Sequence, residues 1–171
     1  MNFLINFKEI KKDIRKKENF YCLTLIIIVF LLDRISKLKI INEYNESKSF
    51  VNDYINLDLV WNTGIGFGLL SDKTPFFYDA ITILIGFIIL FIFYILIRSK
   101  ILDKVIISFI IGGALGNFYD RIVYKAVPDF IDIHYNNFHW FIFNFADLFI
   151  TFGIVGYLVK DFFYKNKNEK F

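Results

Sequence analysis

Three aspartates in the second half of an otherwise apolar chain are the residues best suited to do chemistry. They are Asp120, Asp129 and Asp147, and they are accompanied by two asparagines and an arginine, Asn117, Asn144 and Arg121. Two carboxylates that meet in a low-dielectric setting tend to share one proton. The charged one can then take a proton from water while the protonated one polarises a carbonyl, which would hydrolyse an amide. Ion-pair scaffolding or a cation pathway would explain carboxylates in an apolar chain equally well.

Other catalytic patterns are missing from the sequence. It has no G-x-S-x-G elbow, no Cys/His pair and no phosphate-binding glycine loop followed by lysine. His134 and His139 are five residues apart, which places them on different faces of a helix, and there is no H-E-x-x-H pattern. We therefore expect interfacial aromatic-belt residues there, beside Trp140, with no metal and no cofactor. The single cysteine, Cys22, leaves no disulfide within the chain.

The elements that must position these side chains are long apolar runs. Hydrophobic residues make up 56% of the 171 residues, and they come in blocks. We expect four blocks to be long enough to cross a hydrocarbon core, which needs about 20 residues of helix. They lie at 20–41, 76–97, 105–120 and 141–159. The expected fold is an all-α membrane protein, a single integral membrane domain over 1–171 with four transmembrane helices.

Basic residues predict how these helices are oriented. Lysines and arginines concentrate before residue 18, in the loop 98–104 and in the tail, whereas segment 42–75 is mainly acidic. The positive-inside rule places both termini in the cytoplasm and segments 42–75 and 121–140 outside. Such lysine-rich flanks are ordinary for membrane helices, so no nucleic-acid partner is expected.

The outer segments and the third helix carry further local signals. Residues 56–61 alternate in places like a strand, and the glycines at 64, 66 and 68 indicate a turn, so we expect a small extracytoplasmic β-rich platform that can receive an extended peptide. Pro128 favours a short helix that includes Asp129 and Asp132. Glycines at 112 and 116 continue a small-residue spacing from Ser108, which lets helix backbones touch.

A resemblance to a known family covers residues 20–160. The blocks are Asp33-Arg34-Ile35-Ser36-Lys37, Asn62-Thr63-Gly64-Ile65-Gly66-Phe67, the stretch from Gly112 to Arg121 (GGALGNFYDR), Val127-Pro128-Asp129-Phe130, and Phe143-Asn144-Phe145-Ala146-Asp147. In this order they resemble the motifs D-x-x-S-K, N-x-G-x-x-F, G-G-A-x-G-N-x-x-D-R, V-x-D-F and F-N-x-A-D of the lipoprotein signal peptidases (signal peptidase II). These are bacterial aspartic peptidases that cut prolipoproteins.

The resemblance implies that Asp129 and Asp147 are the catalytic pair. It implies that Asp120 is structural, held with Asn117 and Arg121. The positions that match those lining or supporting the family's site are Asp33, Lys37, Asn62, Gly64, Gly112, Asn117, Asp120, Arg121, Asn144 and Ala146. Two positions depart from the family pattern, with Phe141 in place of the usual proline and Leu148 in place of the common serine.

The resemblance also implies the substrate and its surroundings. The substrate would be a prolipoprotein whose lipobox cysteine bears diacylglycerol, cut just before that cysteine near the outer face of the bacterial inner membrane. Membrane lipids and globomycin-type inhibitors are the other expected partners, and we expect a monomer. The ion pair expected at i,i+4 between Asp33 and Lys37 either anchors the first helix or lies beside the substrate.

Two other classes of function remain open on the residues alone. An ion-coupled carrier could use Asp33 and Asp147, but it would usually show inverted repeats and broken helices, which this sequence does not show. A non-enzymatic membrane assembly protein would keep its cellular function when Asp129 is changed to asparagine.

Overall fold

The protein is built from long helices and one small antiparallel sheet. The computed structural model describes residues 16–43, 49–64, 75–136 and 138–168. The described helices are α1 (Lys17–Glu43), α2 (Pro75–Arg98), α3 (Ile101–Tyr124) and α4 (Phe145–Asn168). The described strands are β1 (Ser49–Asn52), β2 (Ile55–Asn62), β3 (Val127–Tyr135) and β4 (Phe138–Phe143). The mostly helical class and the small sheet agree with the expectation from the sequence.

Two of the described helices are long and apolar enough to cross a membrane. They are Tyr78–Arg98 in α2 and Ile101–Tyr124 in α3. Only 17% of the apolar 18-residue stretch of α2 is buried inside the protein, and large side chains such as Ile83, Phe87 and Leu90 are exposed. Such a surface suits a hydrocarbon environment. The count of four spans remains a prediction.

Helix α3 is the centre of the helical packing, because its glycines allow two neighbours to approach. A Cβ atom at Gly112 would lie 2.6 Å from Cβ of Val29 in α1, and one at Gly113 would lie 2.5 Å from the carbonyl oxygen of Ala146 in α4. A Cβ at Gly116 would overlap the Asp33 carboxylate. The small-residue spacing therefore does bring helix backbones together, as expected.

The sheet has the strand order β1-β2-β3-β4, and its central strand corrects one prediction. Residues 127–135 are a strand, so the short helix expected at Pro128 is wrong. Strand β2 pairs with β3 from Val127 onward, whereas β4 joins only from Ile131. Proline has no N–H to donate, and Pro128 lies where β3 has one neighbour, so the ladder tolerates it.

Strand β4 also changes where the last helix begins. Residues 138–143, predicted to lie partly in the fourth apolar helix, pair with β3 instead, and α4 starts at Phe145. The aromatic and β-branched residues of β4 favour a strand when a partner strand is available. This arrangement places Asn144 at the junction between the sheet and α4.

Candidate active site

The two aspartates predicted as a pair line one cavity. Asp129 comes from the start of β3 and Asp147 from the first turn of α4, and the cavity between them has a volume of about 210 Å³. Its other lining residues are Asn62, Asn117, Arg121, Val127, Ile142, Ile150 and Thr151. The cavity therefore combines two carboxylates and four other polar side chains with an apolar wall.

Asp129 is nearly fully buried and is held by two asparagines. Its Oδ2 accepts a hydrogen bond from Asn62 Nδ2 at 2.9 Å, and its Oδ1 accepts one from Asn144 Nδ2 at 2.5 Å. Burial and the nearby charge of Asp147 raise the pKa of Asp129 from 3.8 to about 6, although both asparagine hydrogen bonds oppose the rise. Asp129 can therefore gain or lose a proton near neutral pH.

Asp147 belongs to the N-terminal cap of α4. Its Oδ2 accepts a hydrogen bond from the backbone N–H of Asn144 at 3.1 Å, and its own backbone N–H donates to Asn144 Oδ1 at 3.2 Å. This reciprocal pair has the form of a capping box, with the aspartate in the place of the usual glutamate. The cap aims the Asp147 carboxylate at the helix N-terminus, whose partial positive charge stabilises an anion.

Asn144 therefore links the two carboxylates directly. Its side-chain oxygen caps α4 beside Asp147, which leaves its Nδ2 to donate to Asp129. Because Asn144 is fully buried, its amide has little freedom to leave this position. A single side chain thus sets the orientation of Asp129 relative to Asp147.

A buried ion cluster beneath the cavity holds Lys37 in α1. Its Nζ donates to Asp33 Oδ2 at 2.8 Å, Asn117 Oδ1 at 2.8 Å and Asp120 Oδ2 at 2.7 Å, and the side chain is fully buried. Arg34 also pairs with Asp120. Two cations thus balance two carboxylates, which is what allows charges to remain inside a protein.

Asn117 connects this cluster to the cavity. Lysine has only donors, so the amide must turn its Oδ1 toward Lys37 and its Nδ2 toward Asp147 Oδ1, 2.8 Å away. Asp33 adds a second link, because its Oδ1 accepts the backbone N–H of Ala146 at 3.0 Å. The charges in α1 therefore hold both the Asp147 side chain and the first turn of α4.

Arg121 joins the sheet to α3. It donates to the carbonyl oxygens of Asn117 at 3.2 Å and Gly64 at 3.3 Å. The Gly64 N–H in turn donates to Asn62 Oδ1 at 2.8 Å, so the Asn62 amide turns its Nδ2 toward Asp129. The glycines at 66 and 68 lie outside the described residues.

The predicted site residues lie close together in the structure, but some of their hydrogen-bond partners differ from the predicted ones. The hydrogen bonds to Asp120 come from Lys37 and Arg34, whereas the resemblance implied that it is held with Asn117 and Arg121. Arg34 was not among the residues predicted to support the site. The available signal was a second cation in the middle of an apolar helix, next to Asp33.

The histidines lie elsewhere on the sheet. His134 and His139 are direct partners across β3 and β4, with ring centroids 5.3 Å apart. The predicted separation of the two histidines on different helix faces is wrong, because a hairpin brings residues five apart to opposite positions. Neither histidine lines the cavity that holds Asp129 and Asp147.

Comparisons with known proteins give a consistent result over nearly the whole chain. The family model for signal peptidase (SPase) II matches residues 25–163. A lipoprotein signal peptidase of Pelagibacter ubique is 46% identical over 159 residues, covering 90% of this chain and 96% of that protein. A lipoprotein signal peptidase of Anaplasma marginale is 37% identical over 148 residues, covering 83% of this chain and 84% of that protein.

Solved structures show the same similarity in three dimensions. A bacterial membrane enzyme aligns with a TM-score of 0.72 at 28% sequence identity, covering 88% of this chain and 92% of that one. A second bacterial membrane enzyme structure aligns with a TM-score of 0.67 at 27% identity, covering 82% of this chain and 91% of that one.

Proposed function

The chain belongs to the signal peptidase II family, and from this membership we propose that Asp129 and Asp147 are its catalytic pair. The protein is an aspartic endopeptidase that removes signal peptides from prolipoproteins. Support for the pair comes from one observation above all, namely that both carboxylates line a single cavity and are joined through Asn144. Neither an ion-coupled carrier nor a non-enzymatic assembly protein is consistent with this family.

In the proposed mechanism Asp147 is the general base. Its two oxygens accept hydrogen bonds from Asn117 and from the N–H of Asn144 at the start of α4, which hold the carboxylate at the cavity. Asp129, with its raised pKa, carries the shared proton and donates a hydrogen bond to the carbonyl oxygen of the scissile peptide. Asp147 takes a proton from the water that attacks the carbonyl carbon. That proton then passes to the leaving amine as the C–N bond breaks.

The proposed substrate is a prolipoprotein that bears a diacylglyceryl cysteine, cut just before that cysteine. Val127, Ile142 and Ile150 give the cavity an apolar wall, which suits small apolar side chains near the scissile bond. The acyl chains would lie against the exposed apolar helices, among membrane lipids. We also propose that globomycin-type inhibitors bind in this cavity and that the enzyme acts as a monomer.

The proposed topology has four membrane spans with both termini in the cytoplasm. The sheet would then lie at the outer face, where lipidated substrates arrive, and the residues around it would contact the extended part of the substrate. A topology test uses Lys100→Cys and Asn136→Cys in a Cys22→Ser background. A membrane-impermeant thiol reagent should label position 136 from outside the cytoplasmic membrane, and position 100 only after that membrane is opened. The reverse labelling would overturn this orientation.

The catalytic pair is tested by two isosteric substitutions and one control. Asp129→Asn and Asp147→Asn should each lower cleavage of a diacylated prolipoprotein by about 10²- to 10⁴-fold, the usual contribution of acid–base groups. Asp79→Asn is the control, because Asp79 is an exposed acid paired with Lys125 in the described structure. Cleavage is followed by the mobility shift of the substrate on a gel. Wild-type rates in either cavity variant would remove the assignment.

A further inference from the structure

A second cluster of chemically active side chains lies on the β3–β4 hairpin. We infer that Asp132, His134 and His139 form a binding site for one divalent transition-metal ion of the Zn²⁺ type. The donor atoms of the three side chains all lie within 4.8 Å of one another. Residues 132 and 134 share one face of β3, and His139 lies opposite His134 on β4.

The separations are close to those of a metal site. His139 Nδ1 lies 2.8 Å from Asp132 Oδ2, and the two imidazole rings are stacked at an interplanar angle of 22°. Nitrogen and oxygen ligands lie about 2.0–2.2 Å from Zn²⁺, so neighbouring donors are roughly 3–4 Å apart. His139 is 52% exposed in its side chain, so it can make the small adjustment that coordination requires.

An unpaired buried oxygen is the second observation that points to a cation. Asp132 is only 2% exposed, and its Oδ1 has no hydrogen-bond partner among the described residues. A buried carboxylate oxygen without a partner costs free energy. A bound cation would supply the missing positive charge. It would also replace the proton that now joins Asp132 to His139.

Asn56 on β2 can orient one of the ligands. Its Nδ2 lies 3.4 Å from His134 Nδ1. A 180° rotation of the amide would place its oxygen there, where it would accept an Nδ1–H and leave the other ring nitrogen free to bind the metal. Ligating histidines commonly donate their second N–H to an oxygen in this way.

The ligand set indicates which metals would bind. Two imidazoles and a carboxylate suit Zn²⁺, whereas Mg²⁺ and Ca²⁺ prefer oxygen ligands alone. The chain contains only two histidines, and its one cysteine is buried in α1, so imidazole coordination can occur only here. The same hairpin carries Asp129 in β3 and leads into Asn144, so a bound ion would hold together the strands that frame the cavity.

The test measures metal uptake by the full chain, purified in detergent with an affinity tag that contains no histidine and treated with a chelator. Calorimetric titration with ZnCl2 should give one ion per chain. Saturating Zn²⁺ should raise Tm by about 5 °C or more, because a ligand that binds only the folded state stabilises it. MgCl2 at the same concentration should leave Tm unchanged.

Substitutions locate the uptake on the hairpin. His139→Ala and Asp132→Asn should each weaken Zn²⁺ binding at least tenfold. Asp53→Asn, which changes an exposed acid in the β1–β2 turn, should bind as the wild type does. If Asp132→Asn does not fold, the exposed His139→Ala still tests the site. No uptake by the wild type, equal uptake by His139→Ala, or an equal Tm shift with MgCl2 would each overturn the inference. None of these results depends on peptidase activity, so the catalytic proposal is tested separately.

Discussion

Asn144 offers the sharpest test of how the site is built, because its side chain makes two hydrogen bonds that different substitutions can remove separately. Its Oδ1 caps α4, and its Nδ2 donates to Asp129 Oδ1. Asn144→Ala removes both contacts. Asn144→Ser keeps a capping oxygen but is too short to reach Asp129. Both variants therefore lose the hydrogen bond to Asp129, but only Asn144→Ala loses the cap of α4. Both leave a similar small space at a fully buried position.

The magnitudes follow from these contacts. Removing an N-cap side chain costs about 0.5–2 kcal/mol, and serine is among the best replacements. For a protein of this size that difference corresponds to a Tm of Asn144→Ala roughly 1–8 °C below that of Asn144→Ser. Because Asp129 carries the shared proton, its hydrogen bond from Asn144 joins two neutral groups and is worth about 0.5–1.5 kcal/mol. Both variants should therefore lose about 2- to 10-fold in kcat/KM.

The pH dependence of cleavage also tests the effect of Asn144 on the pKa of Asp129. The Asn144 hydrogen bond lowers the pKa of Asp129, so its removal should raise that pKa further above its present value of about 6. The assay is cleavage of a diacylated prolipoprotein between pH 5 and pH 9, together with thermal unfolding in the same detergent. If Asn144→Ser recovered wild-type kcat/KM as well as Tm, the donor to Asp129 would be irrelevant and the reasoning would fail.

Three further predictions concern the cluster, the helix packing and the charge of Asp129. Lys37→Met should lower the free energy of unfolding by about 3–5 kcal/mol in a denaturant titration, because it leaves buried carboxylates unbalanced; a loss below about 1 kcal/mol would contradict this. Gly116→Ala should lower both Tm and activity, since its Cβ would overlap the Asp33 carboxylate, whereas Gly156→Ala has no described neighbour within 4 Å and should be tolerated. Asp129 has a raised folded-state pKa, so the stability that it contributes is present below about pH 4 and is lost as pH rises through about 6. Over that range the free energy of unfolding of the wild type should fall by about 3 kcal/mol more than that of Asp129→Asn, at 1.36 kcal/mol per pKa unit. Parallel curves of unfolding free energy against pH for the two proteins would refute this prediction.

Local patterns predicted the helices and strand β2 well, and strands β3 and β4 poorly. Apolar runs and small-residue spacing depend on neighbours along the chain, so α2 and α3 and the close contact at Gly112 could be expected from them. Strands β3 and β4 form a hairpin, and β3 also pairs with β2, which is distant in sequence. Pro128 suggested a helix because its local preference carries no information about that distant partner.

The contacts in the site also divide into those predictable from local spacing and those set by segments distant in sequence. Asp33 and Lys37 could be paired from their i,i+4 spacing, and they do pair at 2.8 Å. Asp120 was assigned neighbours within its own helix, yet its partners come from α1, because α3 packs closely enough for cross-helix ion pairs to form.

The amino-acid sequence by itself determined the family, the order of its motifs and the residue types available for chemistry, since these are properties of the chain read in one direction. Only the tertiary structure decided that Asp129 and Asp147 line the same cavity and that Asn117 and Asn144 orient them. It also decided that His134 and His139 face one another. The physical reason is that burial, hydrogen-bond partners and electrostatic environment depend on segments far apart in sequence, which come together only when helices and strands pack.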